Sequence, residues 1–309
     1  MRKVLFISPH LDDVVFSCAA RILREVGAGA KVTVATVFSH ARPRSESWGE
    51  YVMRREEDRH ALRLLGAKPV WLGLFDAPCR NPFYNSFRRI ILETAPSDSE
   101  NVQIIRTKIN QLLSELTPDA LYLPLGVGTH IDHRLVFAAC SSLATTCPRY
   151  YYEDLPYAMV RYSVSSRFQQ IQAAPSSEGG NPEFSSASNA VRQRKFLKSF
   201  RSAAYVTRYL PRGGERRDCE ARLCENLAAS PKINRWLERE TEMAPALDQN
   251  RILPALYAYR SQARLFLGNR TQLRDACRSR ARWFGFGGWR IEHFWKPLKN
   301  FEQFNDSNL

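Results

Sequence analysis

Val4-Leu5-Phe6-Ile7-Ser8-Pro9-His10-Leu11-Asp12-Asp13 is the stretch that decides how this 309-residue chain is read. A short apolar run halted by Ser8-Pro9 reads as a buried strand. It delivers one imidazole and two adjacent carboxylates to the strand's C-terminal end, the edge at which open α/β sheets bind ligands. A second apolar run, Ala120-Leu121-Tyr122-Leu123, precedes Gly128-Thr129-His130-Ile131-Asp132-His133, with two more imidazoles and another carboxylate. Two such clusters, brought together by a parallel sheet, can build a metal site that keeps an open position, which is what a hydrolytic metal needs. Taken alone, His10 to Asp13 also fits a turn followed by a helix cap, since Asp caps helices. The second cluster, at the end of a second strand, favours the metal reading.

The rest of the N-terminal half alternates strand-like and helix-like stretches. Val14 to Val26 carries an apolar helical stripe of Val15, Ala19, Ile22, Leu23 and Val26 and ends at Gly27-Ala28-Gly29. Lys31 to Phe38 is dense in β-branched residues, as a buried parallel strand is. A polar loop over 40–49 leads to a helix from Tyr51 to Leu65 closed by Gly66, then a strand over 70–74. Residues 77–101 read as irregular, Thr107 to Leu116 as a helix and 120–124 as the fourth strand. Gly126 and Gly128 then allow the tight turn that brings His130 toward the first cluster.

Repeated βα units with chemistry at the strand ends imply a Rossmann-like, doubly wound and mostly parallel α/β sheet with helices on both faces. No G-x-G-x-x-G follows the first strand, so a nicotinamide reading fails. We place the catalytic core at residues 1–172, with a further strand beginning near Pro148. Residues 173–190, rich in Ser, Pro, Gly and Asn, read as an exposed flexible loop. Residues 191–309 read as a mostly helical, aromatic-rich extension packed on the core as one continuous domain. Its expected helices are 190–200, 218–228 and 253–266, and its aromatic run from Trp283 to Trp295 packs the C-terminus onto the core.

Ser8-Pro9-His10-Leu11-Asp12-Asp13 together with His130-Ile131-Asp132-His133 resembles the paired signatures of the PIG-L/LmbE-like family of metal-dependent de-N-acetylases. Leu11 stands where that family usually has proline, and Val14 where it has glutamate. Looser matches follow: Arg54, Glu57, Ala61 and Leu65-Gly66; Leu72 to Asp76; Tyr152 to Tyr157; and Tyr259 to Phe266. The resemblance implies His10, Asp13 and His133 as metal ligands and Asp12 as general base. It implies His130, as an imidazolium, for the oxyanion and the departing amine, with Asp132 behind it or in the second shell, and Arg54 for substrate binding. Two imidazoles and a carboxylate suit one Zn²⁺ per chain and also serve Fe²⁺. The implied reaction is hydrolysis of an N-acetyl group from an N-acetylglucosamine-type sugar or glycoconjugate by a metal-activated water. The alternatives are a metallo-amidase for another acyl group or a non-sugar amide, and a non-catalytic binder of a polyanion.

Composition bounds the rest. Hydrophobic content of 44% and charged content of 25% are those of an ordinary globular protein. Seven scattered cysteines without CxxC spacing exclude a disulfide framework or thiolate zinc site and fit a reducing compartment. No run reaches the roughly 18–20 apolar residues of a membrane span, and the N-terminal apolar stretch runs straight into His10. A cytoplasmic location is expected. The net charge is +14, and residues 251–309 hold nine Arg and two Lys against four acids. That surface suits an anionic or lipid-linked amino-sugar substrate or peripheral contact with a membrane, with Arg278, Arg280 and Arg282 as its exposed cations. No nucleic-acid motif accompanies the charge.

Overall fold

The computed structural model describes residues 1–43, 47–86, 89–90, 93–128, 130–159, 163–172 and 237–297. The apolar stretch read first is strand β1 (Lys3–Ser8), every residue of it after Lys3 buried. A strand buried on both faces has no solvent side, so its residues need not alternate. The remaining elements of the first half are α1 (Asp13–Gly27), β2 (Lys31–His40), α2 (Trp48–Leu65), β3 (Lys68–Phe75), the short α3 (Ala77–Arg80), α4 (Asp98–Leu116), β4 (Ala120–Pro124), α5 (Ile131–Ser141), β5 (Arg149–Tyr152) and α6 (Ser163–Gln172).

β1 pairs in parallel with β2 (Val4 opposite Val32) and with β4 (Val4 opposite Ala120). β2 pairs with β3 and β4 with β5, also in parallel. The sheet order is β3-β2-β1-β4-β5-β7-β6. The chain winds outward from β1 to β3, then returns to lay β4 on the other side of β1. The crevice between the ends of β1 and β4 is therefore a topological switch point, where such sheets bind ligands. The loops carrying His10 and His130 leave those two strands.

Beyond β5 the described residues hold β6 (Leu237–Ala244), α7 (Gln249–Ala258), α8 (Arg260–Leu267), α9 (Arg270–Trp283) and β7 (Arg290–Pro297). β7 runs antiparallel to β5 and β6, so the C-terminal part completes the same sheet. The sequence reading did not anticipate these two strands beside the helices α7, α8 and α9. β7 reads Arg-Ile-Glu-His-Phe-Trp-Lys-Pro, and its charges hide a strand in sequence because charge is taken to mean exposure. Arg290 and Glu292 are buried as a pair instead. The expected helix 253–266 breaks at Tyr259 (φ −78°, ψ 69°), and α4 starts already at Asp98, with Val102, Ile105, Ile109 and Leu112 as its buried stripe. The expected loop 173–190 and the helices 190–200 and 218–228 lie outside the described residues. Among the described residues the cysteines are free thiols, and no helix is long and apolar enough to cross a membrane.

The two looser blocks at Arg54–Gly66 and Tyr259–Phe266 meet in space. On α2, Asp58 accepts from Tyr259 Oη at 2.8 Å and from Trp71 Nε1 at 2.8 Å, while Glu57 accepts the Ser261 amide at 3.1 Å. The break at Tyr259 is thus clamped to the helix that carries Arg54.

Candidate metal centre

Three turns build the site. After β1, Phe38 N donates to Pro9 O at 2.9 Å, and Val14 N to Ser8 Oγ at 3.2 Å, which fixes the loop that presents His10. After β4, Gly128 takes φ +93°, and a Cβ there would sit 2.4 Å from the Tyr157 ring, so only glycine lets the loop pass. His130 then caps α5, its Nδ1 accepting the Asp132 amide at 3.2 Å, and His133 follows one turn in, fully buried. The third turn, after β5, supplies Asp154.

The side chains converge on Asp13. Its Oδ2 lies 3.2 Å from His10 Nδ1 and 3.2 Å from His133 Nε2, and accepts the His10 amide at 2.8 Å. One ligand atom from each of His10, Asp13 and His133 falls within 4.8 Å of the others. The far nitrogen of each ring is held by its own carboxylate: His10 Nε2 by Asp132 Oδ2 at 3.0 Å, and His133 Nδ1 by Asp154 Oδ1 at 2.7 Å. Imidazoles that ligate metals are oriented in this way. His133 Nε2 is buried and faces Asp13 Oδ2 without a well-formed hydrogen bond among the described residues, so it is placed to ligate an ion.

The electrostatics fit a cation. Burial opposes charge on His10, but Asp13 and Asp132 outweigh it and raise its pKa to about 9. Burial likewise opposes charge on His133, and Asp13 and Asp154 raise it to about 10. Burial would raise the Asp13 carboxyl, yet His133 and His10 hold it well below the usual range. The cluster therefore binds protons where a divalent ion would supply the same positive charge. A second donor set, His10, His130 and Asp132, is also close enough. Its atoms are committed elsewhere: Asp132 Oδ2 also accepts the Ala77 amide at 2.9 Å, and Oδ1 lies 2.9 Å from Arg80 Nη1.

Asp12 occupies the N-cap position of α1 but makes no side-chain capping bond, so the helix-cap reading of it does not hold. The residue is 5% exposed, and burial and Asp13 raise its pKa against the pull of Arg54 and His10. Arg54 stacks over Tyr51 at 5.1 Å, and its buried Nε has no hydrogen-bond partner among the described residues. Burial, reinforced by His10 and His133 and opposed by Asp132, lowers His130 to about 3. The ring is neutral, with Nδ1 accepting and Nε2 carrying the proton, which corrects the expected imidazolium. Asp132 holds His10 rather than His130. Val14, in place of the family's glutamate, is buried on α1 among apolar neighbours.

Residues 5–144 match the family profile described as PIG-L, GlcNAc-PI de-N-acetylase. This stretch is a PIG-L family domain. It holds both histidine clusters. A 2'-N-acetylparomamine deacetylase of Streptomyces fradiae is 34% identical over 173 residues, 52% of this chain and 60% of that protein. The chain thus spans about three fifths of that relative's length. Its counterpart in Niallia circulans is 27% identical over 189 residues, 50% of this chain and 68% of that protein. Beyond the PIG-L domain the likeness extends to whole folds. The A40926 pseudoaglycone deacetylase Dbv21 superposes with a TM-score of 0.60 at 23% identity, covering 96% of this chain and 97% of its own. The zinc-inhibited form of teicoplanin deacetylase Orf2 gives 0.62 at 21% identity, covering 96% and 98%.

Asp154 is the site residue that sequence reading passed over. Glu153-Asp154 reads as ordinary loop acids, and nothing local marks one of them as a partner of His133. Arg280, expected among exposed cations, is 7% exposed and ion-paired with Glu153, while its Nη1 donates to Ala158 O at 2.9 Å.

Proposed function

We propose that this protein is a zinc-dependent deacetylase that hydrolyses the acetamide of an N-acetylated amino sugar carried on a larger glycoside. The observation that carries the reading is a three-donor set, His10, Asp13 and His133, beside a buried carboxylate, Asp12, that makes no capping bond. The likeness to 2'-N-acetylparomamine deacetylases supports an N-acetylated amino sugar as the substrate class.

In this reading His10, Asp13 and His133 hold the ion. When bound, it supplies Lewis-acid polarisation of the amide carbonyl and acidifies a water. Asp12, its pKa raised by burial and by Asp13, accepts the proton of the attacking water and passes it to the leaving nitrogen. His130 donates from Nε2 to the developing oxyanion, a hydrogen bond that a neutral, fixed ring gives without reorganisation. Arg54, with its unpartnered Nε, binds substrate hydroxyls. Asp132 and Asp154 hold the two ligand imidazoles in the tautomers that leave the inner nitrogens free.

The test is zinc content of the purified chain, with acetate release measured over N-acetylated amino sugars and their glycosides. About one ion per chain and acetate release abolished by Asp12→Asn are expected. Acetate release that persists at the wild-type rate in Asp12→Asn refutes the assignment.

A further inference from the structure

Helix α1, which opens with the two carboxylates of the site, is two half-helices. The backbone leaves helical geometry at Cys18 (φ −129°, ψ 16°), so groups on either side lose their intrahelical partners. Their replacements come from the other end of the chain. Glu292 on β7 accepts the Ala20 amide on Oε1 at 2.9 Å and the Arg21 amide on Oε2 at 3.0 Å. Arg290, on the same side of β7, donates Nη2 to the Phe16 carbonyl and Nε to Glu292 Oε1 at 2.9 Å. Both side chains belong to residues only 2% exposed. One carboxylate starts the second half-helix as a capping side chain would, and one guanidinium closes the first. Between them, Ser17 Oγ accepts the Leu155 amide at 2.9 Å, next to Asp154.

We propose that Arg290 and Glu292 are positioning residues of the site: by bridging the break in α1 they set where Asp12 and Asp13 stand relative to His10 and His133. This goes beyond the reading of His10, Asp13 and His133 as metal ligands, and rests on it. The segment Asp13–Ser17 is little more than one turn, too short to hold a direction by its own hydrogen bonds. Asp12 gives it no side-chain cap. Its C-terminal end is therefore fixed from outside, by Arg290 and by the Ser17 contact. The same strand also reaches the other half of the donor set. Glu153 N donates to His293 O at 3.2 Å and Trp295 Nε1 to Glu153 Oε1 at 3.1 Å, one residue from the carboxylate that holds His133.

The experiment measures zinc affinity of the full chain by chelator competition, with amide exchange at Ala20 and Arg21 read in parallel, for Glu292→Gln, Arg290→Lys and Arg24→Gln. A carboxamide accepts through one oxygen only, so Glu292→Gln leaves one amide of the break opposite an NH2 group. Faster exchange there and at least tenfold weaker zinc binding are expected, the range for partners behind metal ligands. Arg290→Lys, which cannot serve Phe16 and Glu292 together, weakens zinc binding at least threefold. Arg24→Gln, also on α1, removes a part-buried ion pair with Glu242 of β6, whose carboxylate keeps Arg21, and leaves affinity within twofold. A merely structural pair would lower the unfolding temperature and leave the affinity of the folded fraction unchanged. Wild-type affinity in folded Glu292→Gln, or in Arg290→Lys should the first variant not fold, overturns the proposal. A wild-type chain that binds no zinc overturns the ligand reading and this proposal with it, a result that no variant-specific outcome imitates.

Discussion

Replacing Asp154 by asparagine tests whether the third turn belongs to the metal site. The carboxylate has two jobs: Oδ2 accepts the Val127 amide at 2.8 Å, and Oδ1 takes the proton of His133 Nδ1 at 2.7 Å. In Asp154→Asn the carboxamide oxygen can keep the Val127 bond, which preserves the loop, and its NH2 then opposes Nδ1. The imidazole answers by moving its proton to Nε2, the nitrogen that lies 3.2 Å from Asp13 and would face the ion. Metal binding must then reverse that tautomer without the charge-assisted bond that stabilised it. Loss of an outer partner of this kind costs 10–100-fold in affinity, or about 1.4–2.8 kcal/mol. Competition with a chromophoric chelator at fixed pH reads the zinc Kd directly, and near-ultraviolet circular dichroism confirms the fold. A folded Asp154→Asn chain with a Kd within twofold of wild type would refute the reasoning.

Three further outcomes follow from the same geometry. Asp12→Asn should retain fold and zinc but lose 10²–10⁴-fold in kcat, the usual contribution of general acid–base catalysis; a loss below tenfold in steady-state assays removes Asp12 from that role. Arg280→Gln leaves the buried Glu153 without its cation and should destabilise the fold by about 3–5 kcal/mol in denaturant unfolding, whereas exposed Arg282→Gln should shift it by less than about 0.5 kcal/mol. Asp58, raised from 3.8 to about 7 by burial against the donors Trp71 and Tyr259, keeps its proton in the folded chain over a range where the unfolded chain has lost it. Stability should therefore fall as pH rises from about 4 to 7, by at most about 1.4 kcal/mol per unit, and level off above; urea unfolding of Asp58→Asn run beside wild type should lack this component, and parallel profiles would exclude it.

The fold class and the meeting of the His10–Asp13 and His130–His133 clusters were legible in the sequence because both rest on local signals, while the choice of His10, Asp13 and His133 as donors came from the resemblance to the PIG-L/LmbE-like family. Uninterrupted apolar runs mark strands buried on both faces, and the Gly128 turn and the His130–His133 spacing act within a few residues. Parallel pairing of β1 and β4 then follows from the general rules of wound sheets, which sets His10 beside the His130–His133 turn. What the tertiary structure alone decided involves partners far apart in the chain and charges that are buried in pairs. Nothing local in the sequence pairs Asp154 with His133, Glu57 and Asp58 with the Tyr259 break, Arg280 with Glu153, or Arg290 and Glu292 with the break in α1. A charge is hidden in a core only when its counter-charge or an unpaired backbone amide arrives with it, and that meeting depends on topology rather than on neighbours in sequence. The chemistry of the inner donors was therefore written locally, while what holds those donors in place exists only once the sheet has closed around them.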